Sequence, residues 1–367
     1  MKLDRLLATS AIALALVAGN AYADSVYITE AAGNVNGAIT VNQTNSDNEG
    51  PNKVNIVQDP GVSGSSITAN ITQISDEGIS ANINQGTGGT AIGDNASLTQ
   101  YSVGEASAAT GSGSSAAIYQ GNVAGGFSYH DSATLIQNSN VTGSLNPDAD
   151  TDPVNNAIIY QGYNAGISEF NTAGLYQGYA GGTANNDSAT IEQGVNGGST
   201  TYGQAYIYQG YGTGTSTGDT ATIIQNGGTG NYGLIEQGNA GTSSGNTASV
   251  TQTGSGAIGE ILQGYIGGSA GTLGADTASI TQSDGSQAYI YQGLYGGSSS
   301  NDTASITQSG GGNFAQINQG VSGNTSNDTA TVTQAGNNYA FIDQLNGGKT
   351  AVVAMSAGSG AVNVIQH

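Results

Sequence analysis

Alanine, a branched aliphatic residue and glutamine recur at alternate positions along the chain, with Thr, Ser, Tyr and Asn between them. The clearest unit is Asp302-Thr303-Ala304-Ser305-Ile306-Thr307-Gln308, and Asn313-Phe314-Ala315-Gln316-Ile317-Asn318-Gln319 follows it directly. A spacing of two is the side-chain period of a strand and not of a helix, so Ala, Ile and Gln of one unit share a face. In 17 copies between Gln73 and Gln344 an Ala stands four residues before the Gln. Looser copies end at Gln43, Gln58, Gln237, Gln263 and Gln366, and Glu30 and Met355 take the Gln place in two more, which makes 24 copies.

Each copy predicts a strand of about five to seven residues, closed by Gly, Asn, Ser or Asp in turn conformations. From Gln225 to Gln344 the Gln-to-Gln gap alternates between short (10 to 12 residues) and long (15 to 19 residues). Two strands joined by one tight and one looser turn then form a rung. The predicted fold is all-β: a two-sided β-solenoid of about 12 stacked strand-turn-strand rungs, roughly 58 Å long at ~4.8 Å per rung and cross-β when polymerised. The array spans 24–367, irregular over 24–224 and regular over 225–367. The 24-residue gap between Gln137 and Gln161 contains Pro147 and Pro153 and predicts a protruding loop near 138–156.

The facing strands place a thin dry stripe inside the rung. In the regular part its Gln members are Gln225, Gln237, Gln252, Gln263, Gln282, Gln292, Gln308, Gln319, Gln334 and Gln344. Its aliphatic members are Ile280, Ile290, Ile306, Ile317, Val332 and Ile342, and its alanines include Ala304, Ala315, Ala330 and Ala340. A Gln amide can bond its own counterpart one rung away, so it is satisfied only when rungs stack in register.

Asp276, Asp302 and Asp328 each stand six residues before their Gln and predict an acidic column. Each could cap its turn by bonding nearby backbone. Carboxylates ~5 Å apart also repel by roughly 0.9 kcal/mol even at the dielectric of water, so acid or calcium is expected to speed stacking. Glu192, Glu236, Glu260 and Asp343 fall on the outward face, as solvated carboxylates or charge gatekeepers against aggregation. Tyr119, Tyr160, Tyr176, Tyr208 and Tyr291 precede their Gln and face outward, with Tyr206 and Tyr289 two places earlier, either favouring the sheet or offering an adhesive surface.

Composition adds the compartment. Lys2 and Arg5, the apolar run Leu6 to Ala18 and Ala21-Tyr22-Ala23 read as a secretory signal over residues 1–23. Its removal leaves Lys53 and Lys349 against 24 acidic residues, a formal charge of −22. That balance argues against nucleic acid as a partner, because phosphate binding needs clustered Lys or Arg. No later apolar stretch reaches the ~20 residues of a membrane span. There is no cysteine, so stability is expected from backbone ladders and not from disulfides.

The segment Gln308-Ser309-Gly310-Gly311-Gly312-Asn313-Phe314-Ala315-Gln316-Ile317-Asn318-Gln319 fits Gln-x-Gly-x-x-Asn-x-Ala-x-x-x-Gln at every fixed place. Gln334 to Gln344 fits with one residue deleted. Gln225 to Gln237 fits with one inserted and Gly233 in place of Ala. This resembles the repeat of the curlins, the subunits of bacterial curli fibres. The resemblance implies passage through the periplasm and an outer-membrane export machinery, a nucleator subunit as partner, and polymerisation into extracellular amyloid of the biofilm matrix. The chain departs from the curlin pattern in its longer turns and in Asp at the start of one strand set.

The first copy starts where the signal ends, and the last, Val362-Asn363-Val364-Ile365-Gln366, lies one residue from His367. No capping segment is expected, so unpaired strand edges invite head-to-tail addition of identical chains into an open homopolymer. The competing readings are a monomeric solenoid adhesin and a polysaccharide-acting β-helix enzyme. The enzyme needs irregular carboxylates in one cleft, whereas these acids repeat with the rungs and His130 and His367 lack positioned partners. No catalytic residue, cofactor or metal site is expected.

Overall fold

A computed structural model describes residues 13–18, 25–30, 37–45, 53–58, 67–75, 80–86, 90–102, 115–121, 127–139, 156–178, 183–185, 187–264, 273–295 and 297–366. Among these the chain is all β, with no helix, and its strands stack in parallel as a β-solenoid. The centre of the loop expected near 138–156 lies outside the described residues. Contacts divide the chain into two units, residues 1–175 with 192–201 and residues 176–191 with 202–367.

In the first unit one sheet takes Ala13–Ala18, Gly37–Asn45, Ile67–Ser75, Asn95–Ser102 and Ser132–Ser139 in that order. The other takes Ser25–Glu30, Lys53–Gln58, Ser80–Gln85, Ser115–Gln120 and Asn156–Gln161. The second unit repeats the scheme. One sheet runs Gln204–Gln209, Tyr232–Gln237, Ile258–Gln263, Gln287–Gln292, Phe314–Asn324, Tyr339–Asn346 and Ala361–Gln366. Its counterpart runs Thr220–Gln225, Thr247–Gln252, Thr277–Gln282, Thr303–Ser309, Thr329–Ala335 and Thr350–Met355. Each of the 24 sequence copies lies on a strand, and copies pair in register: Gln282 with Gln308 and Gln308 with Gln334, Gln292 with Gln319 and Gln319 with Gln344. Register is also kept in the half where the sequence looked irregular, where Ala133 pairs with Ala96 and Gln137 with Gln100. Within the residues read as a signal, Ala13–Ala18 pairs with Ala38 to Gln43 and sets Ala18 against Gln43.

The long links are not simple turns. They carry short parallel strands that the sequence pattern did not reveal. Thr90–Ile92, Phe127–Tyr129, Ile167–Glu169 and Ser199–Thr201 form one such sheet, and Thr183–Asn185, Thr215–Thr217 and Thr242–Ser244 form another. Each link so equipped therefore adds a side to its rung. A residue in left-handed conformation follows the short strand and turns the chain into the next long one: His130, Phe170, Gly218, Gly245 and Ala275 all have φ between 52° and 66°. The four links between Gln161 and Gln225 each carry a short strand, which is why the alternation of gaps vanishes there.

The link leaves its Gln through a glycine that abuts the short strand. At Gly194, with φ +57°, an added Cβ would lie 1.8 Å from the carbonyl oxygen of Ile167. Gly194→Ala therefore combines left-handed strain with a backbone collision. It is expected to destabilise the first unit by about 2–4 kcal/mol, read as a lower melting temperature. An unchanged melt would show that the short strand yields freely.

Inside the rung the alternate, inward positions are buried. Ala304, Ile306, Ala315, Ile317, Ala330, Val332, Ala340, Ile342 and Ile290 have no exposed surface and Ile280 has almost none. Burying each Ile or Val contributes about 1.5–3 kcal/mol. Small Ala lets the two sheets approach closely. At Gly233 even a methyl is too large, because a Cβ there would come within 2.9 Å of Ile223 Cγ2.

Candidate functional site: the buried ladders

The Gln side chains form continuous amide ladders within the second unit. In one sheet Nε2 of Gln209 donates to Oε1 of Gln237, Gln237 to Gln263, Gln263 to Gln292, Gln292 to Gln319, Gln319 to Gln344 and Gln344 to Gln366, at 2.8–2.9 Å. In the facing sheet Gln225 donates to Gln252, Gln252 to Gln282, Gln282 to Gln308 and Gln308 to Gln334, at 2.9–3.1 Å. Every bond points the same way along the chain, so the ladder is polar. Most of these amides also reach across the core to backbone of the opposite sheet, as in Gln308 Nε2 to Gln287 O at 3.0 Å and Gln344 Nε2 to Thr329 O at 3.2 Å. The sequence predicted the stacking but not this cross-link. A buried amide with every donor engaged stabilises both register and sheet spacing.

The acidic column exists and is longer than the three expected residues. In the second unit it runs Asp187, Asp219, Asn246, Asp276, Asp302 and Asp328, all buried. Oδ1 of each accepts the backbone N–H of the next: Asp219 N to Asp187 at 2.9 Å, Asn246 N to Asp219 at 2.7 Å, Asp302 N to Asp276 at 2.8 Å and Asp328 N to Asp302 at 2.7 Å. The cap thus joins one rung to the next, where the sequence suggested a bond to nearby turn backbone. The first unit repeats the device with Asp94, Asp131 and Asn171.

The second oxygens differ in their partners. A serine three residues earlier donates to Oδ2 of Asp131 (Ser128, 2.7 Å), Asp219 (Ser216, 2.6 Å) and Asp302 (Ser299, 2.6 Å). Asp94 and Asp276 have Ala91 and Leu273 at that place, and their Oδ2 atoms are buried with no hydrogen-bond partner. Burial pushes the Asp276 carboxyl up to about 7, aided by the charges of Asp302 and Asp219 and opposed by the Asp302 N–H. Asp187 also rises to about 7 through burial and the Asp219 charge, and Asp131 to about 6 mainly through burial. Burial raises Asp94, Asp219 and Asp328 as well. Protonation needs no room for a ligand, so in a closed column it is the direct way to remove charge. Among the described residues no group of three or more His, Asp or Glu converges as a metal-ligand set.

The outward acids are less solvated than expected. Glu192, Glu236, Glu260 and Asp343 are half-buried on the outer face, burial raises the first three carboxyls, and Glu236 accepts Asn239 Nδ2 at 3.0 Å. Outward tyrosines stack in the predicted places: Tyr119 on Tyr160 at 5.1 Å and Tyr176 on Tyr208 at 4.8 Å. Tyr206 neighbours Tyr232, and Tyr289 neighbours Tyr291 and Phe314. His130 has an aromatic neighbour in place of a carboxylate, lying parallel to Phe170 at 5.5 Å. His367 lies outside the described residues.

The strand Ala361–Gln366 pairs with Tyr339 to Gln344 on one edge only among the described residues. Its Gln366 accepts the Gln344 amide and donates to Thr350 O at 3.1 Å, which leaves its second N–H for a further rung. In the facing strand Met355 takes the ladder place, with its Sδ 3.8 Å from Gln334 Nε2. No protein-family model matches the chain, and neither does any curated protein.

Proposed function

We propose that this chain is a secreted structural subunit. It assembles end to end into extracellular, curli-like amyloid fibres that serve biofilm matrix and surface adhesion. The observation that carries the reading is the polar Gln ladder, whose strand Ala361–Gln366 is paired on one edge only among the described residues. A second copy that continues the ladder satisfies the free amide and buries the half-exposed Val362 and Val364. Identical contacts repeated head to tail do not close, so the product is a fibre. The signal read over residues 1–23, the curlin resemblance and the acidic charge support a fibre outside a bacterial cell, with export machinery and a nucleator as partners. No catalytic role is assigned.

A time course of thioflavin fluorescence on denatured chain diluted into buffer, with and without seed, tests the reading. A lag abolished by seed and reflections near 4.8 and 10 Å are expected. A soluble β-rich monomer at all concentrations would favour the adhesin instead. The exposed Ile167 and Phe170 beside His130 would then be the first surface to probe.

A further inference from the structure

The two ladders do not reach the last rung in the same state. Gln366 keeps a second N–H beyond the one it gives to Thr350 O, and every Gln before it in that sheet of the second unit gives such an N–H to the next rung. Met355 has no donor at all. Its thioether receives the Gln334 amide at 3.8 Å, a weak contact beside the 2.9 Å amide bond from Gln308 to Gln334 one rung earlier.

We propose that Met355 is a built-in ladder stop that makes the growth face for a second copy of this chain asymmetric and slow to extend. The inference rests on the fibre reading. An incoming rung finds a ladder donor at Gln366, so pairing along Ala361–Gln366 leads. Over Met355 the incoming ladder residue finds no donor, and its carbonyl or carboxyl oxygen is buried without a partner. An orphaned buried acceptor is among the more unfavourable things a docking strand can create. Met355 is also fitted to its place. A Cβ added at Gly360 would lie 2.8 Å from its Cε, so the thioether lies against the facing strand start, where the other amides cross the core. By the pattern of Gln282 to Ile258 O and Gln308 to Gln287 O, the next carbonyl in line is that of Tyr339.

Met355→Gln restores the amide, with a donor for the incoming rung and a full acceptor for Gln334. Met355→Leu keeps the apolar shape without either. The experiment elongates fluorescent seeds of the full chain with a second-colour monomer of wild type, M355Q or M355L and images growth at each end. Circular dichroism confirms that each monomer folds. M355Q is expected to extend about three- to tenfold faster than wild type, the gain confined to one end, with M355L no faster than wild type. Wild-type fibres with M355Q growing at the wild-type rate would overturn the stop while leaving the fibre reading intact. Absence of elongation by any of the three would overturn both.

Discussion

Gln282→Leu is expected to destabilise the second unit by about 3–6 kcal/mol, although leucine fits the volume and the place is dry. Gln282 has no exposed surface and sits mid-ladder. Its amide receives Gln252 Nε2 at 3.1 Å, donates to Gln308 Oε1 at 3.0 Å and reaches Ile258 O and Ser286 O at 2.9 Å. Leucine removes all of these. It orphans the Gln308 acceptor and one Gln252 donor, each worth about 1–3 kcal/mol when buried without a partner. Urea unfolding followed by far-ultraviolet circular dichroism reads the loss. Gln282→Glu adds a sharper control, since an ionised carboxylate would face the Gln308 carbonyl oxygen, acceptor against acceptor. It should be worse than leucine at pH 8 and partly recover in acid, when the carboxyl can donate. A loss below about 1 kcal/mol for leucine would mean that the ladder is incidental to a core held by Ala and Ile.

Acidification from pH 8 to pH 5 is expected to stabilise the fold, against the usual behaviour of a protein whose carboxylates are paired. Asp187 and Asp276 titrate near 7 in the folded chain, against about 4 when unfolded. Their contribution is therefore complete below about pH 4, declines as pH rises from 4 to 7, and is gone above. Three pH units at 1.36 kcal/mol each give about 4 kcal/mol per residue as an upper bound. Asp276→Asn removes the burden of the charge while keeping an oxygen for the Asp302 N–H. Asn171 already plays this part, donating its amide to Ser168 Oγ and to Thr200 O in the next rung. The variant should melt higher than wild type at pH 8 and show a shallower rise on acidification. Equal pH slopes in the two proteins would exclude Asp276 as a source of the effect.

The stripe of Ala, Ile and Gln was legible because it repeats at the strand period with fixed identities, and burial then follows with no further choice. The acidic column was legible as a column but not as an interior one. Aspartate ordinarily marks surface. The signal that it turns inward is local: a hydroxyl three residues before, as in Ser216 and Asp219, a left-handed residue immediately before, and Asn as its stand-in at Asn171 and Asn246. The short strands were illegible for a different reason. Three residues such as Thr215–Thr217 show one alternation only, too little to separate a strand from a Thr- and Ser-rich turn. Their existence also displaced the link pattern between Gln161 and Gln225, which made an ordered stretch look irregular.

Gln282, Gln308 and Gln334 succeed one another at 26 residues, and Asp276, Asp302 and Asp328 keep the same interval. Because both ladders advance by that one step, cutting out residues 283–308 would bring Gln282 directly under Gln334 and Asp276 under Asp328, with each ladder partner replaced by its like. Removing half as much would send each later strand to the opposite sheet. The array can therefore be lengthened or shortened by whole periods, and copy number becomes a heritable dimension that selection can set without redesigning either ladder.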